Sequence, residues 1–167
     1  MLRPLALADA EPLFAAYGDD EVCTYWSRAA YASVAETTVA VLWEIENGMS
    51  WAVVDGAKGV DSPAVGRVSL FAAKQAGVLE VGIIFARAAW GRGFAGEALE
   101  AVVQHGFANG AHRIFADIDP DNVASLKLFE RTGFVREGLL RKAWRTHLGL
   151  RDTVILGRLS PEVEAGG

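Results

Sequence analysis

The segment Trp90-Gly91-Arg92-Gly93-Phe94-Ala95-Gly96-Glu97-Ala98-Leu99 places three glycines and an alanine within positions 91 to 96. A run typical of a buried strand, Val78–Phe85, precedes it, and a run typical of an amphipathic helix follows it to Asn109. Glycine lets the backbone approach a ligand closely, and the free amides and dipole of a helix N-terminus favour negative charge. The segment therefore predicts a phosphate-binding turn between a strand and a helix.

The composition is that of a soluble globular protein. Hydrophobic residues make up 51% of the 167 positions and charged residues 22%, a balance unlike that of a disordered chain. A chain of this length buries roughly two-thirds of its unfolded surface as one domain. We therefore expect a single domain over residues 1–160 and a frayed tail over residues 161–167.

Charge and apolar patterning exclude several classes of partner. A formal net charge of −5 without any basic run argues against nucleic acid. No apolar run reaches the ~20 residues that span a bilayer, and Arg3-Pro4 stands where a signal peptide would have its apolar core. The single cysteine, Cys23, fits a reducing compartment. These features predict a cytoplasmic protein with no membrane partner.

Strand-like and helix-like runs follow one another in the order β-α-α-β-β-β-α-β-α-β-β. The strands are expected at residues 2–7, 51–54, 65–71, 78–85, 112–118, 134–144 and 151–159. This order lacks the βαβα alternation of a doubly wound dinucleotide-binding fold. It predicts an α/β protein of the α+β type, with a mixed, mainly antiparallel central sheet of about seven strands and helices on both faces.

Capping residues mark the first two helices. Asp9 is expected to cap a helix that runs to about Gly18. Ser33 and Glu36 have the spacing of a capping box, and Gly48 is expected to end that helix. Its inner face is expected to carry Val34, Thr38, Val41, Leu42 and Ile45.

Four segments occur together at characteristic spacings. They are the glycine-rich segment 90–99, the strand Glu80-Val81-Gly82-Ile83-Ile84-Phe85, the pair Asn122 and Ser125, and the stretch Phe129-Glu130-Arg131-Thr132-Gly133-Phe134. In this combination the chain resembles the GNAT superfamily of acetyl-CoA-dependent N-acetyltransferases. Within it, the chain looks like the Rim-type branch of ribosomal-protein N-terminal acetyltransferases. The resemblance extends over nearly the whole chain.

The resemblance implies an acetyl-CoA site. The amides of the glycine-rich segment would bind the pyrophosphate, and Arg92 would either contact it or be solvated. The strand main chain would pair with the pantetheine arm, with the Ile84 amide polarising the thioester carbonyl. The residues implied are Ile83, Ile84, Phe85, Trp90, Gly91, Arg92, Gly93, Phe94, Ala95, Gly96, Asn122, Ser125 and Phe129. No metal is expected, because the histidines lack ligand spacing.

Two positions depart from the pattern of the superfamily. Trp90 stands where most of its members have Gln or Arg, a change that is common in the Rim-type branch and leaves backbone binding intact. Phe129 stands where some N-terminal acetyltransferases have a tyrosine that protonates the leaving thiolate. The general acid of this chain is therefore an open question.

Two carboxylates are candidates for the general base. An amine with a pKa near 8 or above 10 arrives mostly protonated, so a base assists its attack. Glu80 is the first candidate because it lies on the strand that would carry the thioester, although a strand glutamate can also pair with an arginine. Asp117 is the second candidate, with a solvated strand end as its alternative.

Ser125 is the candidate donor to the leaving thiolate. It lies one helical turn after Asn122, on the same side of the helix, and Asn122 is also a good helix N-cap. The matching serine in Rim-type enzymes suits the role of thiolate donor. A plain helix hydroxyl is the alternative for Ser125.

Three readings of the activity stay open. The first is direct acetyl transfer, in a ternary complex, to a peptide or protein N-terminal α-amine. The second changes the acceptor to a small amine such as an amino acid, polyamine or aminoglycoside, and the third is a non-catalytic acyl-CoA-binding sensor. Tyr25, Trp26 and Tyr31 are expected to wall the acceptor site or to fill the core. The chain is expected to be a monomer or a homodimer.

Overall fold

A seven-stranded sheet forms the centre of the computed structural model, which describes residues 1–166. The strands are β1 (Leu2–Pro4), β2 (Gly48–Val54), β3 (Ala64–Ala72), β4 (Val78–Phe85), β5 (Arg113–Ile118), β6 (Val135–Thr146) and β7 (Gly149–Leu159). Their spatial order is β1-β2-β3-β4-β5-β7-β6, and every neighbouring pair is antiparallel except β4 and β5. The predicted mixed, mainly antiparallel sheet is confirmed.

Helices cover both faces of the sheet, as predicted. They are α1 (Ala10–Tyr17), α2 (Val34–Asn47), α3 (Phe94–Ala108), α4 (Val123–Arg131) and the short α5 (Pro161–Ala165). One hydrophobic core packs α3 and α4 against the sheet, and a second packs α1 and α2 against the opposite face. Among residues 1–166, no helix is long and apolar enough to cross a membrane.

The buried face of α2 differs from the prediction. Thr37, Val41 and Glu44 are buried, whereas Val34, Leu42 and Ile45 are exposed. The prediction assumed that an inner face is apolar. It failed because Glu44 has buried polar partners, among them the Tyr17 hydroxyl, which donates to Glu44 Oε1 at 2.6 Å.

The N-terminal segment also differs from the prediction. β1 ends at Pro4, and a 3-10 turn follows over Leu7–Asp9. Asp9 makes no side-chain cap on α1. Its carboxylate instead accepts hydrogen bonds from the Ala6 amide at 3.0 Å and from both terminal nitrogens of Arg3, at 2.6 and 2.8 Å.

Strands β4 and β5 pair only briefly before they part. Their parallel ladder covers three residue pairs, from Val78 opposite Arg113 to Glu80 opposite Phe115. β4 continues to Phe85 beside β3, while β5 continues to Ile118 beside β7. Within residues 1–166, the facing edges of the two strands beyond Glu80 and Phe115 therefore have no strand partner.

Candidate active site

A cleft of about 850 Å³ is lined by both strands where β4 and β5 part. The predicted site residues that line it are Glu80, Ile83, Asp117, Asn122, Ser125 and Phe129. The three aromatic residues expected to wall the acceptor, Tyr25, Trp26 and Tyr31, line it as well. Residues 84–85 and the glycine-rich segment are not part of its lining.

Glu80 and Asp117 share one face of the sheet. Glu80 is in register with Phe115, and Asp117 lies two residues farther along β5, so both side chains point to the α1–α2 side. Burial raises the pKa of Glu80, and the neighbouring charge of Asp117 raises it further. Within residues 1–166, Glu80 has no cation within salt-bridge distance, so the alternative of a structural ion pair with an arginine does not describe it.

The pKa of the Asp117 carboxyl group is also shifted from its ordinary value. Burial raises its pKa, and the hydrogen bond that Trp144 Nε1 donates to it partly offsets that rise. Two carboxyl groups with raised pKa values in one cleft are candidates for proton transfer.

The first turn of α4 borders the same cleft. Asn122 is the N-cap, and its Oδ1 accepts a hydrogen bond from the Ser125 amide at 3.1 Å. Ser125 is half-buried and lines the cleft, so its hydroxyl is a candidate hydrogen-bond donor there. Phe129 is buried and packs edge-on against Phe134 with ring centroids 5.0 Å apart.

The main chain of β4 has two sides. Hydrogen bonds join this main chain to β3 at Val78 and at Ala86, the residue after the strand. In an antiparallel pair every second residue bonds to the neighbouring strand, so the even-numbered residues of β4 direct their amides towards β3. Ile84 therefore directs its amide towards β3, and the prediction that this amide polarises the thioester is wrong. The amides that face the gap between the strands are those of Val81, Ile83 and Phe85.

The glycine-rich segment has the open geometry that a phosphate group requires. Gly91 and Gly93 have φ values of 71° and 84°, and a Cβ on Gly91 would meet no atom within 4 Å. Gly93 is the N-cap of α3 and gives it no side-chain cap. Within residues 1–166, the amides of Phe94, Ala95 and Gly96 have no protein acceptor. These residues fit the pyrophosphate of acetyl-CoA.

The side chains of Arg92 and Trp90 hold this segment to the sheet. Arg92 Nη2 lies 2.9 Å from Asp55 Oδ2, and its guanidinium lies 4.7 Å from the centre of the Phe94 ring. Trp90 Nε1 donates a hydrogen bond to the Phe85 carbonyl at 3.0 Å. Neither contact follows from the sequence pattern, which left Arg92 either on the phosphate or in solvent.

Sequence analysis also missed Arg67, whose side chain is only 6% exposed and lines the cleft. Arg67 Nη2 lies 2.7 Å from Glu44 Oε1, and Arg67 Nε donates to the Tyr17 hydroxyl at 3.0 Å. The signal available in the sequence was a single charged residue in the otherwise uncharged run 65–71, which was predicted to be a strand.

A family model described as an acetyltransferase (GNAT) domain matches residues 1–135. The chain belongs to the GNAT acetyltransferases. An uncharacterized N-acetyltransferase of Bacillus subtilis (strain 168), YoaA, is 32% identical over 149 residues, which cover 85% of this chain and 82% of YoaA. This GNAT protein is thus an acetyl-CoA-dependent N-acetyltransferase.

Solved structures with a similar fold include enzymes that are named for different acceptors. The spermidine N-acetyltransferase of Vibrio cholerae, in complex with CoA and spermine, has a TM-score of 0.80 at 23% identity, covering 95% of this chain and 93% of its own. The ribosomal-protein-S5-alanine acetyltransferase of Vibrio fischeri has a TM-score of 0.80 at 20% identity, covering 96% and 93%. At such identities they show the GNAT fold alone, so the Rim-type branch stays a prediction.

Cys23 of this GNAT enzyme lies in an environment that suits a structural residue. It is buried, and its Sγ donates to the carbonyls of Ala16 and Tyr17. Burial, together with the charges of two aspartates, raises the pKa of the Cys23 thiol to about 11, which disfavours a thiolate nucleophile. Among residues 1–166, no group of three or more His, Cys, Asp or Glu side chains is placed to hold a metal ion.

Proposed function

We propose that this enzyme transfers the acetyl group of acetyl-CoA directly to the α-amine of a peptide or protein N-terminus, in a ternary complex. The observation that supports this most is the half-buried pair Glu80 and Asp117, which lies where the free edge of β4 borders the cleft. Acetyl-CoA, when bound, supplies an activated acetyl thioester. The cytoplasmic location, the single domain over residues 1–160 and the choice between monomer and homodimer stay predictions.

Glu80 is the proposed general base. It accepts a proton from the incoming ammonium group, and its raised pKa makes that transfer less unfavourable. An α-amine has a pKa near 8, whereas a lysine amine has a pKa near 10.4. A carboxylate base therefore neutralises an α-amine more readily. Asp117 assists because its charge contributes to the raised pKa of Glu80.

Ser125 is the proposed hydrogen-bond donor to the leaving sulfur. Its amide is held by Asn122, which fixes the first turn of α4 against the cleft. Phe129, at the position of the tyrosine found in some N-terminal acetyltransferases, has no proton to give. A thiol with a pKa near 8.5 leaves as a thiolate with little acid help, so a serine hydroxyl suffices.

Main-chain groups supply the rest of the donor site. The free amides of residues 91–96 would bind the pyrophosphate, and the gap-facing edge of β4 would pair with the pantetheine arm. The amide that polarises the thioester carbonyl is then one of the gap-facing set named above, in place of Ile84.

A small cationic amine is the second candidate acceptor. Six carboxylates and three arginines line the cleft, a surplus of negative charge that would attract a polyamine. A non-catalytic sensor is favoured only by Phe129, and the presence of Glu80, Asn122 and Ser125 argues against it.

Thiol release from acetyl-CoA tests the proposal against a panel of short peptides and small amines. We expect release that depends on a peptide with a free N-terminus. In Glu80→Gln the rate should fall roughly 10²–10⁴-fold, the usual contribution of general base catalysis. Glu46→Gln, a matched change at an exposed position of α2, should retain the wild-type rate. No release with any acceptor, while acetyl-CoA still raises the melting temperature, would overturn the proposal in favour of a sensor.

A further inference from the structure

Arg67 carries a buried hydrogen-bond donor with nothing to donate to. Its Nε and Nη2 are engaged by Tyr17 and Glu44, but within residues 1–166 its buried Nη1 has no partner. Buried polar atoms are ordinarily satisfied, and an arginine nitrogen can only donate. The Nη1 group therefore calls for an acceptor oxygen from outside the chain.

The unpartnered nitrogen is buried beside Gly82, in the lining of the cleft. Arg67 and Gly82 both line the cleft, and a Cβ on Gly82 would lie 3.2 Å from Arg67 Nη1. Because Gly82 has no side chain, no Cβ crowds Nη1 from β4, and an acceptor oxygen can reach this nitrogen after a small shift of the groups that cover it. Glu80 lies two residues before Gly82 on the same face of β4, about 7 Å along the strand. A donor and a base consequently flank one position.

Charge selects the kind of oxygen. Glu44 balances the charge of Arg67 at 2.7 Å, and carboxylates outnumber arginines around the cleft. A second carboxylate, such as that of a free amino acid, would meet this negative surplus, whereas a neutral carbonyl oxygen would not. A polyamine has no acceptor oxygen at all and would leave Nη1 unsatisfied.

We infer that Arg67 Nη1 donates to the carbonyl oxygen of the first residue of a peptide acceptor, whose α-amine lies at Glu80. This inference rests on the proposed acetyl transfer and narrows its acceptor to an amine one carbon away from a neutral carbonyl. Arg67 is then a specificity-determining residue, and Gly82 is the position that gives the carbonyl access to it.

Matched acceptors test the inference on the wild-type enzyme. L-Alaninamide carries the neutral carbonyl, isopropylamine lacks it, and L-alanine replaces it with a carboxylate. Because their amines differ in pKa, kcat/KM is compared per concentration of neutral amine. We expect alaninamide to exceed both other acceptors by roughly tenfold or more, the effect of one hydrogen bond from a charged donor.

Two variants locate the effect. Gly82→Ala places a Cβ 3.2 Å from Nη1 and retains both residues of the Arg67–Glu44 pair, so kcat/KM should fall about tenfold for alaninamide and little for isopropylamine. Arg67→Lys keeps a charge beside Glu44 but loses the guanidinium fork, and it should lose the same preference. Gly138→Ala, where a Cβ would meet no atom within 4 Å, is the control and should retain the preference.

Each outcome decides a separate point. Equal kcat/KM for alaninamide and isopropylamine would overturn the role of Arg67 while leaving acetyl transfer standing. A preference for L-alanine would overturn the neutral carbonyl. Thiol release from none of the acceptors, with acetyl-CoA still raising the melting temperature, would remove the proposed function and this inference together.

Discussion

Glu80 is a candidate catalytic base, and its burial in charged form lowers the stability of the folded protein. Its pKa in the folded protein lies above the ordinary 4.5, so folding favours its protonated form. The stability that protonated Glu80 contributes to the folded state is fully present below pH 4.5. It is lost as the pH rises through the raised pKa. The neutral analogue Glu80→Gln should therefore unfold at a higher temperature than wild type at pH 8, and this difference should vanish near pH 4. Melting temperatures between pH 4 and 8 measure it, with Glu46→Gln as the control.

The same residue pair sets the pH dependence of catalysis. Since the charge of Asp117 raises the pKa of Glu80, Asp117→Asn should lower that pKa. The acidic limb of kcat/KM should then move to lower pH, while Ser125→Ala should leave the limb where it is. Rates from pH 4.5 to 8 with a peptide acceptor measure the shift. An unmoved limb in Asp117→Asn would show that Glu80 is not the group that titrates.

At the scale of elements, alanine substitutions of the glycines at the two ends of α3 distinguish loss of acetyl-CoA binding from backbone strain. Gly91 and Gly110 have φ values of 71° and 90°, and a Cβ at either would meet no atom within 4 Å. Alanine in the left-handed region should destabilise both variants similarly, by about 1–2 kcal/mol. Only Gly91→Ala should weaken acetyl-CoA binding, since Gly110 follows the far end of α3. Calorimetry for affinity and urea unfolding for stability distinguish the two effects, and equal affinities would argue against a phosphate site at Gly91.

The elements that the sequence predicted well are those with one local signal. The strand over Val78–Phe85 and the glycine-rich turn after it follow from composition and periodicity, and both bounds of β4 match. The inner face of α2 could not be predicted in this way. Periodicity assumes an apolar interior, but Glu44 turns inward because partners on α1 and β3 satisfy its carboxylate.

The candidate site was predicted in its residues more than in its geometry. Glu80, Asp117 and Ser125 come from separate elements and line one cleft. The resemblance extends over nearly the whole chain and therefore pointed to residues that are far apart in sequence. The direction of the Ile84 amide depends on pairing with β3, which one strand alone does not reveal. The Arg92 contact with Asp55 joins residues 37 positions apart and needs the folded sheet.

At the scale of the whole molecule, burial rather than distance separates two ion pairs. Arg67 and Glu44 approach within 2.7 Å at 6% and 5% side-chain exposure. Arg158 and Glu100 approach within 2.6 Å at 19% and 44% exposure. Solvent screens the second pair, whereas loss of one partner from the first leaves a buried charge unpaired. Since Glu44, Arg67 and the Tyr17 hydroxyl join α2, β3 and α1, that loss concerns the packing of a whole face.

The same substitution at both sites tests this difference. Glu44→Gln should lower the free energy of unfolding by about 3–5 kcal/mol, a large part of the 5–15 kcal/mol typical of a domain. Glu100→Gln should lower it by about 1 kcal/mol or less. Urea unfolding followed by circular dichroism and by tryptophan fluorescence measures both values. The two cores share the central sheet, so we expect them to unfold as one unit. The two signals should then change together in Glu44→Gln. Transitions that do not coincide would instead show that this variant does not unfold as one unit.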